Sequence, residues 1–132
     1  MAKVTQRTGT ILFAEDEALL RELGQTILSQ AGYRVLTAPG PQELLSLVEG
    51  HSEPVDLLLT DIVMPGLSGQ DLARLARRRW PKIRVLYTSG YSDEELDDLL
   101  GDAAFLQKPF TPTELMAKVK ELIGNGAISN AE

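Results

Sequence analysis

Short apolar runs alternate with amphipathic stretches along the whole chain, and that alternation constrains the fold more than any other feature. The runs Thr10-Ile11-Leu12-Phe13-Ala14, Arg34-Val35-Leu36-Thr37-Ala38, Val55-Asp56-Leu57-Leu58-Leu59-Thr60, Ile83 to Thr88 and Ala104-Phe105-Leu106-Gln107 have the length of buried strands. Between them, apolar residues fall at helical spacing. Leu20, Leu23, Ile27 and Leu28 mark a first helix ending at Ala31-Gly32, and Leu44, Leu45 and Val48 mark a second, opened by Gly40-Pro41. Ser68 is an N-cap for a third, through Leu72, Leu75 and Ala76 to Trp80-Pro81. Capping-box patterns at Ser92-Asp93-Glu94-Glu95 and Thr111-Pro112-Thr113-Glu114 open two more, the last carrying Leu115, Val119, Leu122 and Ile123. Strands joined through helices pair in parallel, so the expected fold class is an α/β sandwich on a five-stranded parallel sheet with right-handed crossovers.

At 132 residues the chain is one domain, expected over 10–123, with an N-terminal extension over 1–9 and a polar tail over 124–132. No apolar run reaches bilayer length and no secretory h-region opens the chain, so the expected location is cytoplasmic. The absence of cysteine excludes disulfides and thiolate metal sites, and a formal charge of −6 argues against nucleic acid as a partner.

The chemistry collects where the strands end. Strand one runs into Glu15-Asp16, strand three into Asp61 before Pro65-Gly66, strand four into Thr88, and strand five into Lys108-Pro109. That edge of an open parallel sheet is where ligands bind, and a core strand has no packing reason to end in Asp. If strands one and three are neighbours, three carboxylates converge, and their repulsion calls for a positive charge among them. Oxygen ligation of this kind suits Mg²⁺, and a nearby hydroxyl and lysine complete a site for an anion bridged by metal, as in phosphoryl transfer. The bland readings are helix N-terminal acids for Glu15 and Asp16, a cap for Asp61, a turn for Thr88-Ser89-Gly90 and a solvated lysine for Lys108.

In this order, Glu15-Asp16, Thr60-Asp61 with Met64-Pro65-Gly66, Tyr87-Thr88-Ser89-Gly90 and Phe105-Leu106-Gln107-Lys108-Pro109-Phe110 resemble the receiver domain of two-component response regulators, from about Thr10 to Ile123. Among receivers the resemblance is strongest to those of hybrid sensor histidine kinases. It implies a flavodoxin-like (βα)5 three-layer sandwich with strand order 2-1-3-4-5. Asp61 would accept a phosphoryl group from a phosphohistidine on a sensor histidine kinase or histidine phosphotransfer protein. Mg²⁺ would be held by Asp16, Asp61, the backbone carbonyl of Val63 and, directly or through water, Glu15. Lys108, Thr88 and Ser89 would bind the phosphoryl group, Thr88 and Phe105 would form a switch, and Lys108-Pro109 would be a cis peptide. The chain departs from the commoner pattern in having Glu15 for Asp, Phe105 for a tyrosine, and Val63 and Gly90 where polar side chains often tune hydrolysis.

Other residues are expected to have quieter roles. Arg77-Arg78-Arg79 reads as a solvated helix end and His51 as a surface residue. Ala18 and Leu19 are candidates for an apolar spot that receives a histidine-bearing helix. The acids Asp93, Glu94, Glu95, Asp97 and Asp98 argue against a mixed-charge dimer, so a monomer or weak dimer is expected. No DNA-binding segment follows Ile123, and the expected output is protein contact. The rival readings are a pseudo-receiver that never accepts phosphate and a small α/β phosphatase, the latter disfavoured because Val63 stands where a second Asp would be expected.

Overall fold

The computed structural model describes residues 9–63, 66, 68–90 and 103–124. The expected helix from Ser92 to Gly101, with its acidic face, Met64-Pro65, and most of both terminal segments lie outside them. In chain order the elements are β1 (Thr10–Ala14), α1 (Ala18–Gln30), β2 (Arg34–Ala38), α2 (Pro41–Gly50), β3 (Leu57–Asp61), α3 (Gly69–Arg79), β4 (Arg84–Ser89), β5 (Ala104–Gln107) and α4 (Pro112–Ile123). The sheet is parallel throughout, in the order β2-β1-β3-β4-β5. This is the expected flavodoxin-like order. The strand order reverses at β1 and β3, and a crevice opens beyond their carboxyl ends.

Two apolar clusters flank the sheet. Leu44 and Val48 of α2 and Leu72, Ala73 and Ala76 of α3 pack with Leu12, Leu58, Val85 and Tyr87 on one face. Leu28 of α1 and Leu115 and Val119 of α4 pack with Ile11, Phe13, Leu57, Leu59 and Leu86 on the other. Alternate residues of one strand thus face opposite layers, as the pleat requires. Of the three expected caps, the two among the described residues form: Ser68 Oγ accepts from Asp71 N at 3.1 Å, and Thr111 and Glu114 make a reciprocal capping box.

Two readings need correction. Leu23, placed in the buried stripe of α1, is 51% exposed, and Gly24 takes the inward position instead. The Phe13 ring occupies the space beside it, 2.5 Å from where a Cβ would stand, so only glycine admits that ring against the helix. His51 is not a plain surface residue. It is half-buried with its ring edge-on to Trp80 at 6.3 Å, because Arg79 draws in the loop after α2 by donating to the carbonyls of Val48 (3.2 Å) and His51 (2.9 Å). Arg77, Arg78 and Arg79 are all exposed at the end of α3, as expected, and Arg79 in addition lies over the Trp80 ring at 5.6 Å.

Gly69 couples the fold to the crevice. A Cβ there would stand 2.3 Å from the backbone carbonyl oxygen of Asp61, and Gly69 N donates to Ile62 O at 2.8 Å. The first turn of α3 therefore rests on the end of β3 with no room for a side chain. Gly69→Ala should cost about 1–3 kcal/mol in urea unfolding through overpacking, and it should displace the Asp61 backbone as it does so. Unchanged stability would mean that the contact relaxes freely.

Candidate functional site

Glu15 and Asp16 follow directly from β1, and Asp61 is the last residue of β3, the neighbouring strand. One carboxylate oxygen of each lies within 4.8 Å of the other two. Glu15 is almost wholly buried, Asp61 mostly so, and Asp16 is exposed at the mouth. Lys108, one residue beyond β5, reaches back across the sheet edge: its Nζ donates to Asp61 Oδ2 at 2.9 Å and to Glu15 Oε1 at 3.0 Å. The strand end that carries it is tied down by Lys108 N donating to Ser89 O at 2.7 Å. The Lys108–Pro109 peptide is cis.

Thr88 pairs in register with Asp61 on the adjoining strand and so faces the same side of the sheet. It is buried, and its hydroxyl has no hydrogen-bond partner among the described residues. A buried hydroxyl without a partner is costly, and here it stands next to the carboxylate cluster as a donor with capacity to spare. Ser89 is buried one residue further along β4. Val63 lies just past Asp61 and is exposed. Phe105 is not in the crevice: it pairs with Tyr87, on the opposite face from Thr88, and packs against the cluster of α2 and α3.

Three carboxylates against one ammonium leave two negative charges in a pocket made wholly of oxygen donors. That donor set fits a hard divalent cation. Burial lifts the Glu15 carboxyl above its ordinary value of 4.5, and the bonds from Glu17 N–H and Lys108 offset this only in part. Burial alone would lower the Lys108 ammonium, but its bonds to Asp61 and Glu15 together outweigh that and hold it above its ordinary 10.5.

The Glu15 shift has a measurable sign. The folded chain holds this proton more tightly than the unfolded chain, so Glu15 subtracts stability as pH rises from 4.5 through its elevated titration. Glu15→Gln removes that contribution. Urea midpoints of the variant and the wild type should diverge in favour of the variant as pH rises from 4.5; parallel midpoints would contradict the assignment.

Two contacts in this region carry no local sequence signal. Arg21 Nη1 donates to the backbone carbonyl of Glu15 at 2.8 Å, and Glu17 N donates to Glu15 Oε2 at 3.1 Å. An arginine on a helix reads as solvated unless the loop before it is known to fold against it.

The family model described as response regulator receiver domain matches residues 11–120. The chain is 36% identical over 126 residues to a sensor kinase, CckA, of Brucella abortus, covering 92% of this chain and 13% of that protein. Against other curated relatives it spans about half their length. Among solved structures, a response regulator receiver protein from Sinorhizobium medicae superposes with a TM-score of 0.77 at 30% identity, over 88% of this chain and 94% of that one. The receiver domain of the hybrid histidine kinase CckA gives 0.75 at 33% identity, over 87% and 99%.

Proposed function

The chain belongs to the response regulator receiver domain family, and from that premise we propose that Asp61 is its phosphoacceptor, within a receiver domain spanning 10–123. The observation that carries this is Lys108 bridging Asp61 and Glu15, in a three-carboxylate pocket beside the unpartnered Thr88 hydroxyl. Lys108 engages Asp61 Oδ2. The Asp61 carboxylate attacks the phosphorus of a phosphohistidine, the P–N bond breaks, and the phosphoryl group remains on aspartate as an acyl phosphate.

Asp16, Asp61, the Val63 carbonyl and Glu15 (directly or through water) would hold Mg²⁺, which when bound neutralises charge on the phosphoryl oxygens. Lys108 places its ammonium against the same developing charge. Thr88 then donates its hydroxyl to the phosphoryl group, with Ser89 beside it. The side chain of Phe105 lacks a hydroxyl, so any response there proceeds by packing. Such a few-contact bias is what shifts a two-state equilibrium.

Receiver domains interact with histidine kinases or histidine phosphotransfer proteins, and an apolar face beside the crevice suits such a partner here. On α1, Leu19 is 78% and Leu23 51% exposed, beside the exposed Ala18, and Val63, two residues past Asp61, is 61% exposed. A histidine-bearing amphipathic helix could cover them and present its imidazole to Asp61. No helix among the described residues is long and apolar enough to cross a membrane, and we place the domain in the cytoplasm as a monomer or weak dimer.

The test is intact mass after incubation with acetyl phosphate, with and without Mg²⁺. The expected result is a gain of one phosphoryl group that requires Mg²⁺. Mg²⁺ binding without any gain would favour an interaction module that never accepts phosphate, and turnover of generic phosphate esters would favour a phosphatase.

A further inference from the structure

We propose that Arg21 is a positioning residue for the carboxylate pocket: by holding the peptide that joins Glu15 to Asp16, it sets the affinity of the three carboxylates for a divalent cation. This rests on the receiver reading above. Arg21 lies on the first turn of α1, half-buried, with Nη1 donating to the Glu15 carbonyl at 2.8 Å. That carbonyl belongs to the peptide between the two acids, so fixing its plane fixes the direction in which Asp16 leaves the backbone. The same short loop is braced from two other sides, by Glu15 N donating to Ala38 O at 3.0 Å and by Glu17 N donating to Glu15 Oε2 at 3.1 Å. The α1 N-cap, Glu17, makes no side-chain cap bond. Arg21 therefore supplies the side-chain restraint that a capping residue supplies at α3 and α4.

Two roles for this arginine have opposite signs. As a positive charge near the pocket it would repel a dication, and its removal would tighten binding. As a brace it pre-pays the ordering of the acid loop, and its removal would weaken binding. The geometry favours the brace. The guanidinium bonds a neutral carbonyl, and it makes no ion pair with any carboxylate among the described residues. Partners that orient metal ligands from behind typically change affinity about tenfold or more when lost.

The experiment is calorimetric titration of Mg²⁺ into the wild type, Arg21→Met and Arg21→Lys, well below each melting temperature. Arg21→Met keeps the apolar stem but loses donor and charge; Arg21→Lys keeps a donor of similar reach. The expected result is a Kd about tenfold weaker in R21M, largely restored in R21K. The half-saturating Mg²⁺ concentration for phosphorylation by acetyl phosphate should rise in step. An R21M Kd equal to or tighter than that of the wild type would overturn the proposal, and a lowered melting temperature with unchanged Kd would reduce Arg21 to a structural part. If the wild type itself bound no Mg²⁺, the receiver reading would fall and this inference with it.

Discussion

Asp61→Asn should take up no phosphoryl group from acetyl phosphate at any Mg²⁺ concentration. Asparagine keeps the size and shape of the side chain, so the end of β3 and its contact with Gly69 are preserved. What it lacks is the anionic oxygen that forms the P–O bond. Lys108 keeps its bond to Glu15, so the lysine remains anchored even though one of its partners is now neutral. Stability should change little, because the substitution also removes one of three carboxylates crowded within 4.8 Å. Mg²⁺ should bind more weakly for the same reason. The readout is intact mass beside a urea melt. A phosphoryl gain at the wild-type rate in D61N would place the acceptor elsewhere.

Lys108→Met should slow phosphoryl uptake by about 10²–10³, the usual effect of deleting one fixed donor aimed at transition-state charge. Its effect on the metal has the opposite sign. Without the ammonium, three carboxylates face no fixed cation, so Mg²⁺ should bind at least as tightly as in the wild type. A variant that reacts more slowly while holding the cation no less firmly would separate the two positive charges by role. Loss of both together would mean that Lys108 merely holds the pocket in shape.

Stability should fall as well, by about 1–3 kcal/mol, because the buried Glu15 carboxylate loses a hydrogen-bond donor. The elevated Lys108 ammonium adds a pH signature: its contribution is fully present below the ordinary value of 10.5 and is lost as pH rises through the folded value. That alkaline loss should be missing from the variant.

Much of this arrangement is legible in the sequence, for reasons that can be located. The runs at β1, β2 and β5 are apolar, short and cleanly bounded, and the structure begins and ends them where those bounds fall. At β4 the strand is shifted one residue from the apolar run, to Arg84–Ser89. The caps at Ser68 and Thr111 are local chemistry and could be read without tertiary information. The order of strands could not: periodicity is silent about which strand lies beside which, and the order followed from family resemblance alone.

The misreadings share a cause. Leu23 carries the hydrophobic signal and Gly24 none, yet the ring of Phe13, from another element, decides which of them turns inward. His51 is half-buried only because Arg79 and Trp80 close over its loop from the end of α3. In both cases a contact from another element overrides a local pattern. The bond from Arg21 to Glu15, six residues apart, is illegible in the sequence for a different reason: it depends on how the first turn of α1 sits against the loop before it.

The most direct test of the account is the chemical identity of the phosphorylated residue. An acyl phosphate is reduced by borohydride to the alcohol, so a phosphorylated aspartate becomes homoserine, which peptide mass spectrometry can locate. After phosphorylation in Mg²⁺ and reduction, the account predicts homoserine at position 61 and at no other aspartate. Reduction at Asp16, or a phosphoryl group that survives on a serine, threonine or histidine, would contradict it.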